Sequence, residues 1–190
     1  MGQCVEVDYK SIYTEMHRDP RLYEGLCVHL HAQTISTMIN QTQSKTLLDY
    51  GCGKAIQYKV EGYHNQYFNG IMPALYDIGV PEYNTLPEGM FDGVVSTDVL
   101  EHIPEDQIDG CLEEIFTKAR KFVYLGICTI PATSFLPTGE NSHITLKPLQ
   151  WWVDKSVKFV NNLYTVVHTY GVTKGTAMYR DGKLILFKDR

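Results

Sequence analysis

Two near-continuous apolar runs, Phe91-Asp92-Gly93-Val94-Val95-Ser96 and Lys121 to Ile130, bracket a helical stretch. Runs of this kind suit central strands covered on both faces of a parallel sheet. The stretch between them opens with Pro104 in a first-turn position, followed by Glu105 and Asp106. Proline tolerates that position, and acids there favour the helix dipole. Ile108, Cys111, Leu112, Ile115, Phe116 and Ala119 then recur at helical spacing, and Lys118, Arg120 and Lys121 close the far end. Strand, helix, strand predicts a right-handed parallel crossover, so the chain belongs to the α/β class.

The rest of the chain extends that unit. The first 40 or so residues read as helical, with a break near Asp19-Pro20. Leu26, Leu30, Ile35, Met38 and Ile39 make a loose apolar stripe that the polar run 41–44 ends. Thr46 to Tyr50 is a short strand that stops at Gly51-Cys52-Gly53. A helix over Pro148 to Val160 is expected to bury Leu149, Trp152, Val153, Val157 and Val160, with Trp151 off the stripe. Tyr164 to His168 reads as a strand. Thr176 to Tyr179 and Leu184 to Phe187 read as a hairpin turning at Asp181-Gly182. The expectation is one domain over residues 1–190, with a helical cap (1–44) on an α/β core (45–190). Its sheet starts parallel and ends antiparallel.

Composition removes several classes. A chain of 190 residues with 44% hydrophobic and 21% charged residues is neither disordered nor two large domains. A formal net charge of -5 without a Lys/Arg cluster disfavours nucleic acid. Five scattered cysteines (Cys4, Cys27, Cys52, Cys111, Cys128) without Cys-x-x-Cys suggest neither a disulfide framework nor a zinc knuckle, and no metal ligand set is evident. Reduced thiols and the lack of an apolar signal or spanning stretch lead to the expectation of a cytoplasmic protein without a membrane partner. Met1-Gly2 fails the myristoylation pattern, because Glu6 stands where Ser or Thr is needed.

The sharpest chemical signal is Leu47 to Ala55. A P-loop is excluded, since Leu48 and Ala55 occupy its outer positions. The dinucleotide fingerprint also fails, because its third glycine would be Ile56. An acid two residues before Gly-x-Gly remains. Glycines there allow close backbone approach to a ligand. Asp49 would suit the ammonium of an amino-acid moiety and repel a diphosphate.

Asp49-Tyr50-Gly51-Cys52-Gly53 resembles the first motif of class I S-adenosylmethionine-dependent methyltransferases. Phe91 to Pro104, reading Phe-Asp-Gly-Val-Val-Ser-Thr-Asp-Val-Leu-Glu-His-Ile-Pro, resembles their fourth-strand motif. The likeness runs from about Leu47 to Trp152. It is nearest the branch with ubiquinone-biosynthesis and other small-molecule methyltransferases. It implies a three-layer Rossmann-like fold, mostly parallel, with an antiparallel C-terminal hairpin. It also implies S-adenosylmethionine as cofactor, with S-adenosylhomocysteine as product.

By that resemblance Asp49, Gly51, Cys52 and Gly53 are cofactor-binding, and Thr97 and Asp98 lie beside its methionine part. Asp77 is the candidate to hold the ribose hydroxyls, with a turn aspartate as the other reading. The segment Gly79 to Met90 is too short for the family's usual helix and third strand. Either the sheet lacks that strand or Glu82 to Leu86 supplies a short one, and Glu82 is a weak substitute for the acid that contacts adenine. Ala55 stands where the family often has glycine. His143, in the long loop from Pro131, and His102 are the candidate catalytic bases, each also readable as a structural histidine. Trp151 can wall an acceptor pocket or simply pack. Ser96-Thr97-Asp98-Val99 lacks the motif of base-amino methyltransferases. The expected activity is methyl transfer to a small molecule; the alternative is a non-catalytic cofactor-binding module or partner subunit.

Overall fold

The computed structural model describes residues 8–187. Cys4 and the Met1-Gly2 segment lie outside the described residues. Seven strands form one sheet: β1 (Leu47–Tyr50), β2 (Ala74–Tyr76), β3 (Phe91–Thr97), β4 (Ala119–Cys128), β5 (Tyr164–Tyr170), β6 (Gly175–Arg180) and β7 (Lys183–Phe187). Their order is β2-β1-β3-β4-β5-β6-β7. The first five are mutually parallel, and β6 and β7 run antiparallel at the far edge. The α/β class and the parallel-then-antiparallel sheet are therefore as expected.

Helices cover both faces because both faces of the central strands are apolar. In β4, Phe122 and Tyr124 point one way and Val123, Leu125 and Ile127 the other, all buried. On the first face α2 (Val28–Thr42) packs Val28, Ile35, Met38 and Ile39 against Leu47, Val95, Phe122 and Val166. On the second, α5 (Ile108–Thr117) and α6 (Leu149–Ser156) pack Ile108, Leu112, Ile115, Trp152 and Val153 against Leu48, Val94, Val123 and Val167. Two short helices, α3 (Ile56–Lys59) and α4 (Tyr63–Tyr67), lead from β1 to β2.

Several expectations shift in detail. Pro104 opens a turn closed by Gln107 N–H to Pro104 O at 2.9 Å, and α5 starts only at Ile108. Val157 is not on the buried stripe of α6; the helix tightens into a 3-10 turn there, leaving that side chain 48% exposed. The break near Pro20 widens into a connection from α1 (Tyr9–Met16) to α2. Asp181 and Gly182 both take positive φ (52° and 73°), the backbone of a tight hairpin turn.

The segment 78–90 holds turns only. Val80 N–H returns to Asp77 O and Tyr83 N–H to Val80 O, leaving no strand between β2 and β3 among the described residues. The sheet thus lacks a third strand of the expected kind, and β2 is its edge.

Gly93 marks the tightest point of the core. The β3–β4 register shifts between Phe91 and Gly93, and a Cβ on Gly93 would lie 2.2 Å from the fully buried ring of Phe122. Gly93→Ala is expected to lower stability by about 1–3 kcal/mol through overpacking. Urea unfolding measures this; an unchanged midpoint would mean that the ring has room to move.

Candidate functional site

The direction of the sheet order reverses between β1, which leads outward to β2, and β3, which leads the other way. Open α/β sheets bind ligands beyond the strands' carboxyl ends at such a point. A cavity of about 1010 Å³ opens there. Gly51, Gly53, Asp77, Thr97, Asp98 and Cys128 line it from strand ends, Tyr13 and His17 from α1, and His102 and His143 from the loops.

The glycine turn is shaped by the protein's own chain. Gly51 and Cys52 both donate to Tyr76 O, at 2.7 and 3.0 Å. Gly51 has φ +89°, and a Cβ there would lie 2.2 Å from Val99 Cγ2. Gly53 has φ +56°, and a Cβ there would lie 2.5 Å from the Tyr23 carbonyl. The connection 23–25 docks on this turn: Lys54 N–H bonds Tyr23 O, Ile56 N–H bonds Glu24 O and Gln57 N–H bonds Gly25 O. The close approach that the sequence suggested for a ligand is made instead by Val99 and this segment. Ala55 adopts φ +57°, a left-handed conformation that costs any residue but glycine.

Two expected cofactor contacts need correction. Asp49 is buried away from the cavity lining, because the pleat of β1 points it towards α3. There Gln57 Nε2 and Tyr58 Oη donate to its Oδ2 at 2.9 and 2.8 Å. Its Oδ1 has no partner, and burial pushes its pKa up to about 7. Cys52 is likewise turned into the α2-side core, where burial raises its thiol pKa. Asp77 does reach the cavity, yet its oxygens already accept Gly53 N–H (2.8 Å) and Gly79 N–H (2.9 Å). The turn-aspartate role is therefore present; Oδ1 also faces His17 Nε2 at 3.4 Å, while Oδ2 keeps one further lone-pair site.

Beyond β3, Thr97 is buried on the lining and Asp98 stands at φ +56°. Asp98 Oδ1 is buried without a partner, and burial raises its pKa. Glu101 is fully buried; its Oε1 accepts Cys128 N–H at 2.7 Å and its Oε2 has no partner. The neighbouring Asp98 adds to the burial that raises the Glu101 pKa.

The histidines differ. His102 Nδ1 bonds Ser142 O at 2.8 Å, and burial with His143 nearby lowers its pKa to about 3. A base that weak gains no proton at neutral pH, so His102 is corrected from candidate base to positioning residue. His143 stands against it edge to face at 4.6 Å and donates Nδ1–H to Ile130 O at 2.6 Å, leaving Nε2 free of that bond. The loop beneath is held by Asn141, whose amide bonds both Ala132 N–H and Ala132 O.

Other expected residues lie elsewhere. Trp151 sits between Lys147 and Lys155 on α6, away from the cavity. Glu82 is exposed and pairs with Lys59 at 3.5 Å, so it supplies no acid to the cavity. The sequence reading missed the roof. Tyr13 Oη donates to His102 O at 2.8 Å, and His17 stacks on Tyr23 at 4.5 Å. Tyr13 and Met16 pack with Leu136, joining α1 to the loop after β4. Apolar spacing on α1 signals a buried face but not its destination. Glu101 was also passed over, since an acid next to His102 drew no separate reading.

No family model, curated protein or solved structure matches the chain. No helix among the described residues is long and apolar enough to cross a membrane.

Asp49 makes a testable point about charge. Its native pKa near 7 lies above the unfolded value of about 3.9. Its contribution to stability is complete below about pH 4 and is lost as pH rises through 7. Asp49→Asn is expected to gain stability relative to the parent chain between pH 5 and pH 8. Urea midpoints at the two pH values measure it; an identical difference at both would show that Asp49 does not titrate in this range.

Proposed function

We propose that the chain is an S-adenosylmethionine-dependent methyltransferase acting on a small-molecule acceptor, with a Rossmann-like methyltransferase fold. The observation that carries this reading is Asp98, whose buried carboxylate oxygen lacks a partner on a cavity at the sheet's switch point. Asp77 joins it, and the lysine nearest the glycine turn, Lys54, spends its ammonium on the Asp19 and Leu22 carbonyls. Lys10 and Arg21 also line the cavity, and Arg21 pairs with Asp19. A diphosphate would be repelled by such a surface. A ligand with an ammonium and a sulfonium would be attracted.

Asp98 would hold the methionine ammonium, the role that the sequence reading gave to Asp49. The remaining acceptor site on Asp77 Oδ2 suits a ribose hydroxyl. When bound, the cofactor supplies a methyl group already activated for displacement. The chain's own task is then alignment and exclusion of water. The α1 roof and the stapled loop 131–145 enclose the acceptor side. His143 accepts the proton of a hydroxyl acceptor there, while His102, held neutral, keeps the Ser142 carbonyl and the loop in place.

The missing third strand favours the second reading, a cofactor-binding module, because no acid stands on the adenine side. Calorimetry with S-adenosylmethionine and S-adenosylhomocysteine tests the shared premise. Micromolar binding is expected. Asp98→Asn, which tolerates the left-handed φ, is expected to weaken it at least 10-fold, and Asp49→Asn by no more than a few-fold. No binding to either ligand overturns both readings. Binding without turnover of any hydroxyl or amine acceptor overturns the enzyme and leaves the module.

A further inference from the structure

Glu101 poses a problem that methyl transfer does not solve. It is fully buried, one oxygen accepts the Cys128 amide, and the other has no partner. A buried carboxyl in this position costs free energy unless something compensates it. Asp98, its neighbour in the turn after β3, has an orphaned oxygen too. Two adjacent acids, each with an unmet acceptor, mark a place suited to a cation.

The neighbours have the chemistry to hold one. A Glu101 carboxylate oxygen, Cys128 Sγ and a ring nitrogen of His143 all lie within 4.8 Å of one another. They come from the turn after β3, the last residue of β4 and the loop beyond it, so the fold itself converges them. The Nδ1–H of His143 is fixed on the Ile130 carbonyl. Histidines that ligate metals commonly orient their rings by such an outer hydrogen bond. Cys128 and His143 also line the cavity, which leaves that side of the cluster open.

We propose that Glu101, Cys128 and His143 form a three-ligand site for a divalent transition metal ion of the zinc class, with its fourth position open to the cavity. One thiolate, one imidazole and one carboxylate suit zinc or cobalt, and the sulfur disfavours magnesium and calcium. Bonds of about 2.0–2.3 Å put tetrahedral donors roughly 3.5 Å apart, so the side chains draw together by roughly 1 Å as the ion enters. Three protein ligands and an open position characterise catalytic rather than structural zinc. Asp98 stands next to the cluster as a further carboxylate. The ion's role rests on the methyl-transfer reading: it would hold an acceptor oxygen and favour loss of its proton to solvent water, with His143 serving as ligand in place of the base role given above. The site itself does not rest on that reading.

The test uses the full chain stripped with a chelator and titrated with Zn²⁺ against a chromophoric competitor, and with Co²⁺ by absorption. One ion per chain with micromolar or tighter affinity is expected. Glu101→Gln and His143→Ala should each weaken zinc binding at least 10-fold. The thiolate-to-cobalt charge-transfer band should vanish in Cys128→Ser and persist in Cys111→Ser. Circular dichroism confirms that each variant is folded, and Glu101→Gln keeps the shape of the buried side chain. Absence of stoichiometric binding by the folded parent overturns the site. So does zinc binding that survives both Glu101→Gln and His143→Ala, or a charge-transfer band that survives Cys128→Ser. None of these readouts uses a methyl donor, so this failure and that of the proposed function are distinguishable.

Discussion

Asp77 sends one carboxylate oxygen to the amide of Gly53 and the other to the amide of Gly79, while His17 Nε2 faces it at 3.4 Å. Three segments distant in sequence meet on this one side chain: the turn after β1, the turn after β2 and the end of α1. The His17 ring lies where a Cβ on Gly79 would be, 2.4 Å from its Nδ1. Its own Nδ1 bonds Tyr13 O at 2.7 Å, so the helix that roofs the cavity is tied to the acid beneath it. The glycine turn therefore has its shape before any ligand arrives. Preorganisation of this kind lowers the ordering cost of binding.

The same end of the sheet gathers four acids, the buried Asp49, Asp77 and Glu101 and the half-buried Asp98. Each is handled differently. Asp77 is satisfied by backbone amides. Asp49 takes two side-chain donors and a raised pKa. Asp98 and Glu101 act on each other, and each has an unmet oxygen. Asp49 keeps an unmet oxygen too, but of these three acids only Asp98 lines the cavity. Asp77 and Asp98 stand on the lining where a nucleotide phosphate would need donors.

The strand pattern was legible because buried parallel strands leave long apolar runs, and β3 and β4 fall within two residues of theirs. The Asp181-Gly182 turn was legible because few residues tolerate two successive positive φ angles. The length of segment 79–90 left two outcomes, a lost strand or a short one over Glu82 to Leu86, and the turns found there decide for the first. The direction in which Asp49 points was not. Strand alternation says that Asp49 and Tyr50 face opposite ways, but not which way holds the cavity. Here Tyr50 lines it and Asp49 lies under Tyr58. The choice for Trp151 between walling a pocket and packing was left open for a related reason, and packing is what it does. A residue off a buried stripe is known to face elsewhere, and Lys147 and Lys155 on either side are what it finds. The cluster of Glu101, Cys128 and His143 has no local spacing to betray it, since its members meet only because β3 and β4 are adjacent.

That adjacency decides which acid can act on a ligand. A residue within a strand has its side chain committed to one packed face, as Asp49 is to the α2 side. The first residue past a strand is free of the pleat, and a left-handed φ turns its side chain back across the strand end. Asp98 does this at φ +56°, while its N–H still bonds Gly126 O at 3.0 Å in continuation of the β3–β4 ladder. An aspartate in that conformation is strained unless the local gain is substantial. Asp98 thereby places a buried carboxylate oxygen, Oδ1, where the chain alone leaves it unpaired. A cationic ligand would pair it, and this is the physical ground for giving the ammonium to Asp98 rather than to the acid in the glycine motif.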